Sequence, residues 1–462
     1  MNWKRLLSLR RVRELLDDKP SQRSDKDLRT EFERDYGRAV FSTPFRRLQD
    51  KAQVFPLEAL DGIRTRLTHS MEVSTVARDL AGQVFGSLAQ KQALDRDTAL
   101  QLTTIAATCA LLHDVGNPPF GHAGEVAIQE WFKSSRNEAL LNTIGKNADD
   151  FTNFDGNAQT IRLITKLQVL ADQFGLNLTC GTLSAATKYL ATSSTISKTS
   201  HQMSKLGIFA TEVPVIEKVR AEVGLTGTAR HPVTFIVEAA DDIVYSAVDL
   251  EDGIKKGVLT WEDLIEALQK ELGDQSPLLL KVQRGVVNQL GCERPRDHID
   301  QDAFAQAFRI QSIGTVVPHA RETFERRLPE IEAGTYGHEI VDDEACEAKS
   351  FVEACKSVAR KSVYSSKDVL RLELMGRRII HDLMDVFWEG AAVGDSDLEP
   401  KTYPGKAYRL ISANYRHVFE KEKVALSEAQ DWQYHRAQLV VDYVAGMTDT
   451  FALALHKRLF NG

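Results

Sequence analysis

A chain of 462 residues with 43% apolar and 27% charged side chains can bury two or three domain-sized cores or one large helical domain, and its composition excludes a disordered or fibrous protein. A formal net charge of −7 excludes nucleic-acid binding through bulk charge and leaves only local clusters such as Arg10, Arg11 and Arg13 or Arg326 and Arg327, which as a rule are solvated faces. Five scattered cysteines with no C-x-x-C pair exclude a disulfide framework and a thiolate zinc site, and they fit a reducing, cytoplasmic setting.

In chain order, the N-terminal MNWKRLLSLRRVRELLDD interrupts its apolar residues with arginine and reads as an amphipathic helix, not as a secretory signal. Apolar residues recur at three- and four-residue spacing through 66–85, 97–113 and 233–249, which predicts core-facing helices. The uncharged run 98–112 is too short and too rich in threonine to span a bilayer, so it predicts a buried helix and no membrane partner. Gly116-Asn117-Pro118-Pro119 stops the second helix just past His113-Asp114, and His231-Pro232 opens the third. The polar stretch 133–153 predicts a surface excursion, and the Ser/Thr-rich stretch 192–204 a second mobile loop. Strand-like alternation is scarce, so the expected fold is all-α, with a helical arm over 1–35, a catalytic core over 36–258 and a C-terminal helical extension over 259–462.

The densest chemical text is LLHDVGNPPFGHAGE from Leu111 to Glu125, where an apolar helix delivers an adjacent His and Asp into a Gly/Pro turn. A lone His on an apolar face is more often a hydrogen-bonded core residue than a ligand. Two further groups bear on that choice: His69 in RLTH and Asp241 in EAADD both lie in apolar stretches, where imidazoles and carboxylates need partners. Two imidazoles and two carboxylates form a nitrogen and oxygen set suited to Mn²⁺, Mg²⁺, Fe²⁺, Co²⁺, Ni²⁺ or Zn²⁺. Spacing by itself does not join residues so far apart.

The pattern H…HD…D resembles the HD phosphohydrolase superfamily, and the wider text resembles its deoxyguanosine triphosphate triphosphohydrolase branch. Arg38, FRRLQDKAQVF at 45–55, TRLTHSMEV at 65–73, the 113–125 block, FDGNAQT at 154–160, KLGIF at 205–209, EAADDIVY at 238–245 and DYVAGMTD at 442–449 carry the resemblance over nearly the whole chain. It implies an HD-domain helical core with a C-terminal helical extension. His69, His113, Asp114 and Asp241 are then the expected metal ligands. His122 and Glu125 are the expected catalytic pair, on one face if the chain is helical there, with the carboxylate orienting the imidazole. Sequence does not choose between acid and base for His122.

By the same resemblance Arg66 and Lys205 face phosphate oxygens. Tyr245 and Asp249, four residues apart on one helix face, flank the sugar, and Gln53 stands on its other side. A tight sugar pocket rejects a ribose 2′-hydroxyl by leaving it no room or partner. The implied reaction is attack of water at the α-phosphorus of dGTP or another dNTP, releasing a deoxynucleoside and intact tripolyphosphate. No residue named here reads guanine. Alternatives are hydrolysis of another nucleotide phosphate by the same site, and a non-catalytic nucleotide sensor, against which the intact His122 and Glu125 argue. The resemblance also implies a homo-oligomer, expected as a hexamer, and leaves open an accessory single-stranded DNA site that the net charge does not favour.

Overall fold

The computed structural model describes residues 1–18, 26–58, 60–168, 174–392, 401–424 and 432–460. Helical periodicity becomes helix where the sequence supplies a start and a stop. α1 (Arg66–Gln90) opens on Thr65, whose hydroxyl accepts the Thr68 N–H, and α2 (Arg96–Leu112) on Asp95, whose carboxylate accepts the Thr98 N–H. α3 (Gly121–Lys133) resumes after the two prolines, and α4 (Gly156–Arg162) is capped by Asp155. α5 (Pro232–Lys255) begins on a proline, whose fixed φ suits a first helical turn. The C-terminal half contributes α6 (His298–Ala333), α7 (Lys367–Ala392), α8 (Trp432–Ala445) and α9 (Asp449–Phe460). Among the described residues, β-type pairing is confined to isolated bridges such as Ala52 with Thr65, so the fold is all-α.

Two stretches differ from expectation. The N-terminal segment forms two short helices, Trp3–Leu6 and Val12–Asp17, instead of one. Arg11 between them takes extended backbone and buries its guanidinium on Glu31 at 2.9 Å and Asp35 at 2.8 Å, a buried pairing that outweighs helix continuity. Within 133–153 the polar sequence forms short helices, Glu138–Ile144 and Asp149–Thr152. The second is anchored by buried Phe151 and by Asp150, which accepts the Ala210 N–H at 2.8 Å and the Tyr434 hydroxyl at 2.7 Å.

Two apolar cores meet along a seam. One joins Trp131, Phe132, Phe154 and Ile161 to Ile380, Phe387 and Val444 from α7 and α8. The other joins Leu80, Phe85, Leu102 and Ile105 to Phe235, Val244, Phe304 and Phe308 from α5 and α6. α2 crosses from one to the other: Leu102 and Cys109 lie in the second core, Leu111 and Leu112 in the first. His113 and Asp114 therefore emerge where the cores meet. On the far side, buried Arg162 at the end of α4 holds Asp442 of α8 through Nε at 2.9 Å and Glu212 through Nη1 at 2.9 Å, which fixes how α8 sits on the N-terminal half.

Candidate active site

α1, α2 and α5 each bring one part of the predicted ligand set to the seam. His69 lies in the first turn of α1, His113 caps α2, Asp114 follows it, and Asp241 sits within α5. One ligand atom each from His69, His113 and Asp114 lies within 4.8 Å of the others. Asp241 Oδ1 is 3.1 Å from His69 Nε2 and 3.5 Å from His113 Nε2. His113 Nδ1–H donates to the Ala110 carbonyl at 2.7 Å, which orients Nε2 toward the two carboxylates, and that buried atom has no hydrogen-bond partner. Burial alone would lower the His113 pKa, yet Asp114 and Asp241 raise it to about 9. This pocket is built for a positive charge: two carboxylates crowd two imidazoles, with Asp241 Oδ1 3.5 Å and Asp114 Oδ1 3.6 Å from His113 Nε2. The residues fit a divalent cation.

The turn carrying Asp114 is held from several sides. Arg66 Nη1 donates to Asp114 Oδ2 and Asn117 Nδ2 to its Oδ1 at 2.7 Å. Gly116 donates its N–H to Thr160 Oγ1 at 3.0 Å. A Cβ at Gly116 would lie 2.1 Å from the Gly156 carbonyl oxygen, so only glycine lets the HDVGN and FDGNAQT segments touch.

The catalytic candidates follow a left-handed turn, with φ of 63° at Phe120 and 59° at Gly121, that starts α3. His122 Nδ1–H donates to Glu125 Oε2 at 2.9 Å, and Glu125 Oε1 accepts the Gly156 N–H at 2.7 Å. The hydrogen bond to Glu125 is the leading cause of a raised His122 pKa. Sharing Nδ1 with Glu125 leaves Nε2 as the nitrogen available to a substrate.

Two cavities flank the ligand cluster, and Asp114 and Asp241 line both. The smaller, about 160 Å³, contains Lys205, Lys188, Tyr189 and Asn157. The larger, about 450 Å³, contains Gln53, Arg66, His122, Tyr245 and Tyr364. All the sequence-predicted residues except Glu125 and Asp249 line one or the other. Glu125 hydrogen-bonds His122, which lines the larger cavity. Asp249 is fully buried and accepts the Tyr364 hydroxyl, whose ring lies 6.3 Å from that of Tyr245. The expectation of an Asp249 carboxylate facing a sugar therefore meets a carboxylate that sits behind Tyr364. Tyr364 and Lys188 were missed, since neither lies in a distinctive motif; only three-dimensional proximity identifies them.

A second cluster of His201, Glu238 and Glu339 also has metal-ligand types. Arg230 Nη1 already donates to Glu238 at 2.6 Å, and Lys188 interacts with both carboxylates, so resident cations balance this group.

Burial raises the Asp249 pKa to about 8, against the opposing pull of the Tyr364 hydrogen bond. Unfolded, this carboxyl ionises in the ordinary acid range; folded, it keeps its proton far longer, so its cost to stability grows as pH rises between the two pKa values. Asp249→Asn is expected to raise the thermal midpoint relative to the parent chain more at about pH 8 than at about pH 5. An equal change at both pH values in scanning calorimetry would contradict this.

The HD domain family model matches residues 66–165 and the phosphohydrolase-associated domain model matches 345–458. A deoxyguanosinetriphosphate triphosphohydrolase-like protein of Listeria monocytogenes is 36% identical over 475 residues, spanning 99% of each chain. A deoxyguanosinetriphosphate triphosphohydrolase of Yersinia pestis is 33% identical over 493 residues, spanning 96% of each. No helix among the described residues is long and apolar enough to cross a membrane. With the HD residues gathered at one seam, a hydrogen-bonded His-Glu pair beside them and end-to-end similarity to these relatives, the chain belongs to the deoxyguanosinetriphosphate triphosphohydrolase family of HD-domain hydrolases.

Proposed function

We propose that this chain hydrolyses deoxynucleoside triphosphates, dGTP foremost, to the deoxynucleoside and intact tripolyphosphate, using a divalent cation. The observation that carries this reading is that Asp114 and Asp241 line both cavities at once, with lysines in one and Gln53, Tyr245 and Tyr364 in the other. A triphosphate laid across the two carboxylates and their cation has its charged tail among Lys188 and Lys205 and its nucleoside in the larger cavity. The preference for dGTP follows the names of the Yersinia and Listeria relatives.

His69, His113, Asp114 and Asp241 would hold the cation, with Mn²⁺ or Mg²⁺ first and Fe²⁺, Co²⁺, Ni²⁺ or Zn²⁺ compatible with the same donors. Bound there, it supplies neutralisation of triphosphate charge and polarisation of the bond to be broken. Arg66 pairs with Asp114 through one nitrogen and has a buried Nε without a partner, so its remaining N–H groups are available to a phosphate oxygen. Gln53 Oε1, buried and unpartnered, suits the 3′-hydroxyl. Tyr245 packs on the deoxyribose, and Asp249 acts one step back by fixing the Tyr364 hydroxyl.

His122 lines the larger cavity and not the lysine cavity, which supports a position beside the 5′-oxygen of a substrate laid across both. We assign it the role of acid. Water adds to the α-phosphorus and yields a proton to solvent, the bond from phosphorus to the 5′-oxygen breaks, and the His122 imidazolium gives its proton to that oxygen while Glu125 stabilises the charged ring, which takes up a proton from solvent before the next turnover. The water oxygen leaves in tripolyphosphate. A cytoplasmic homo-oligomer, a hexamer by family resemblance, completes the proposal, and the free, mostly buried cysteines suit a reducing compartment.

The test is incubation with Mn²⁺ and, separately, each deoxynucleoside triphosphate and GTP, with products resolved by anion exchange. Tripolyphosphate and free deoxynucleoside are expected, fastest from dGTP and slowest from GTP. Pyrophosphate as the product, or no release from any substrate even with a second nucleotide present, overturns the reading.

A further inference from the structure

We infer that Asp449 is a positioning residue through which the C-terminal half sets the spacing between the two walls of the larger cavity, an inference that rests on the hydrolase reading above. The carboxylate is buried at the start of α9 and has one oxygen on each wall. Oδ1 accepts the Phe120 N–H at 2.8 Å, two residues before His122. Oδ2 accepts the Ala52 N–H at 3.0 Å, one residue before Gln53. One side chain thus fixes the backbone two residues before His122 and one residue before Gln53.

The Phe120 side of this clamp needs holding. Phe120 is a bulky residue with φ of 63°, a sparsely populated conformation that persists only where its surroundings impose it. Those surroundings come from the C-terminal half. Besides the Asp449 bond to its N–H, the Phe120 ring seats against Gly376 of α7, where an added Cβ would come within 2.7 Å of the ring. A parallel tie joins the same turn to the end of α8: buried Lys51 donates from Nζ to the Asn117 carbonyl and, at 3.0 Å, to the Ala445 carbonyl. The metal-ligand candidates hang on α1, α2 and α5 and make no hydrogen bond to Asp449 among those described. Removing the clamp therefore disturbs the cavity walls directly and touches the cation site only through Arg66, which pairs with Asp114.

Asp449→Asn keeps the shape and one acceptor but turns an NH₂ toward one of the two amides; Asp449→Ala frees both. In the full chain, Asp449→Ala is expected to lower kcat with dGTP on the order of 10²-fold, as displacement of a reacting group by about 1 Å does, with Asp449→Asn between it and the parent. KM is expected to rise as the Gln53 wall loosens and the thermal midpoint to fall as two buried amides lose their acceptor, while Mn²⁺ affinity by calorimetry stays close to the parent's. Hydrogen–deuterium exchange, which needs no substrate, is expected to quicken in peptides covering 50–54 and 118–123. If Asp449→Ala fails to fold, Asp449→Asn carries the same comparison. Unchanged exchange in both peptides, unchanged kcat in a folded variant, or Mn²⁺ binding lost in step with activity each overturns the positioning role. Failure of the parent chain to release tripolyphosphate from any substrate is a separate outcome, which refutes the hydrolase reading, and the exchange data then decide the clamp.

Discussion

Replacing His122 with alanine is expected to slow tripolyphosphate release by about 10²–10⁴-fold, the range that a positioned proton donor contributes, while Mn²⁺ binding stays unchanged. The expectation rests on the ring's place in the nucleoside cavity and on its 2.9 Å hydrogen bond to Glu125. It also fixes a pH dependence. The imidazolium is the active form, so kcat is held below the His122 pKa and falls as pH rises through it. The bond to Glu125 is the main cause of the raised value, so Glu125→Gln is expected to move the alkaline limb of kcat to lower pH. A limb that stays in place in Glu125→Gln, or a His122→Ala protein as active as its parent, would remove His122 from the acid role.

Asp241→Ala is expected to do more, taking both cation binding and turnover to background. Its Oδ1 lies against both histidines, 3.1 Å from His69 Nε2 and 3.5 Å from His113 Nε2, so its loss takes away a carboxylate that touches both imidazoles. Changing a group that only supports a ligand costs roughly 10–100-fold in metal affinity or activity; loss of a ligand carboxylate should exceed that. Calorimetry with Mn²⁺ reads the first effect and product release the second. A chelator on the parent chain should reproduce the loss, and added Mn²⁺ should restore the parent but not the variant. Parent-like Mn²⁺ binding by Asp241→Ala would refute the ligand assignment.

Much of this arrangement was legible in the sequence because it is local. The spacing in 66–85 and 97–113 marks two helices, Pro118-Pro119 announces a stop, and the three- and four-residue spacing in 233–249 puts Tyr245 and Asp249 one turn apart. His122 and Glu125 fall on one face because α3 begins at Gly121. Local pattern also misled where a distant partner outweighed it. Arg11 breaks the N-terminal helix to reach Glu31 and Asp35, and the polar stretch 133–153 is pinned by Asp150 on Tyr434, far away in sequence.

The sequence by itself determined the helical class, since periodicity and caps act over a turn or two of chain, while the ligand set and the catalytic pair came as expectations from its resemblance to the HD family. Only the tertiary structure decided that Asp249 lies behind Tyr364, that Lys188 joins Lys205 beside the ligand cluster, and that Asp449 reaches both Phe120 and Ala52. Those relations depend on where two packed cores bring remote segments together, and burial and hydrogen-bond partners of that kind leave no periodic trace in the chain.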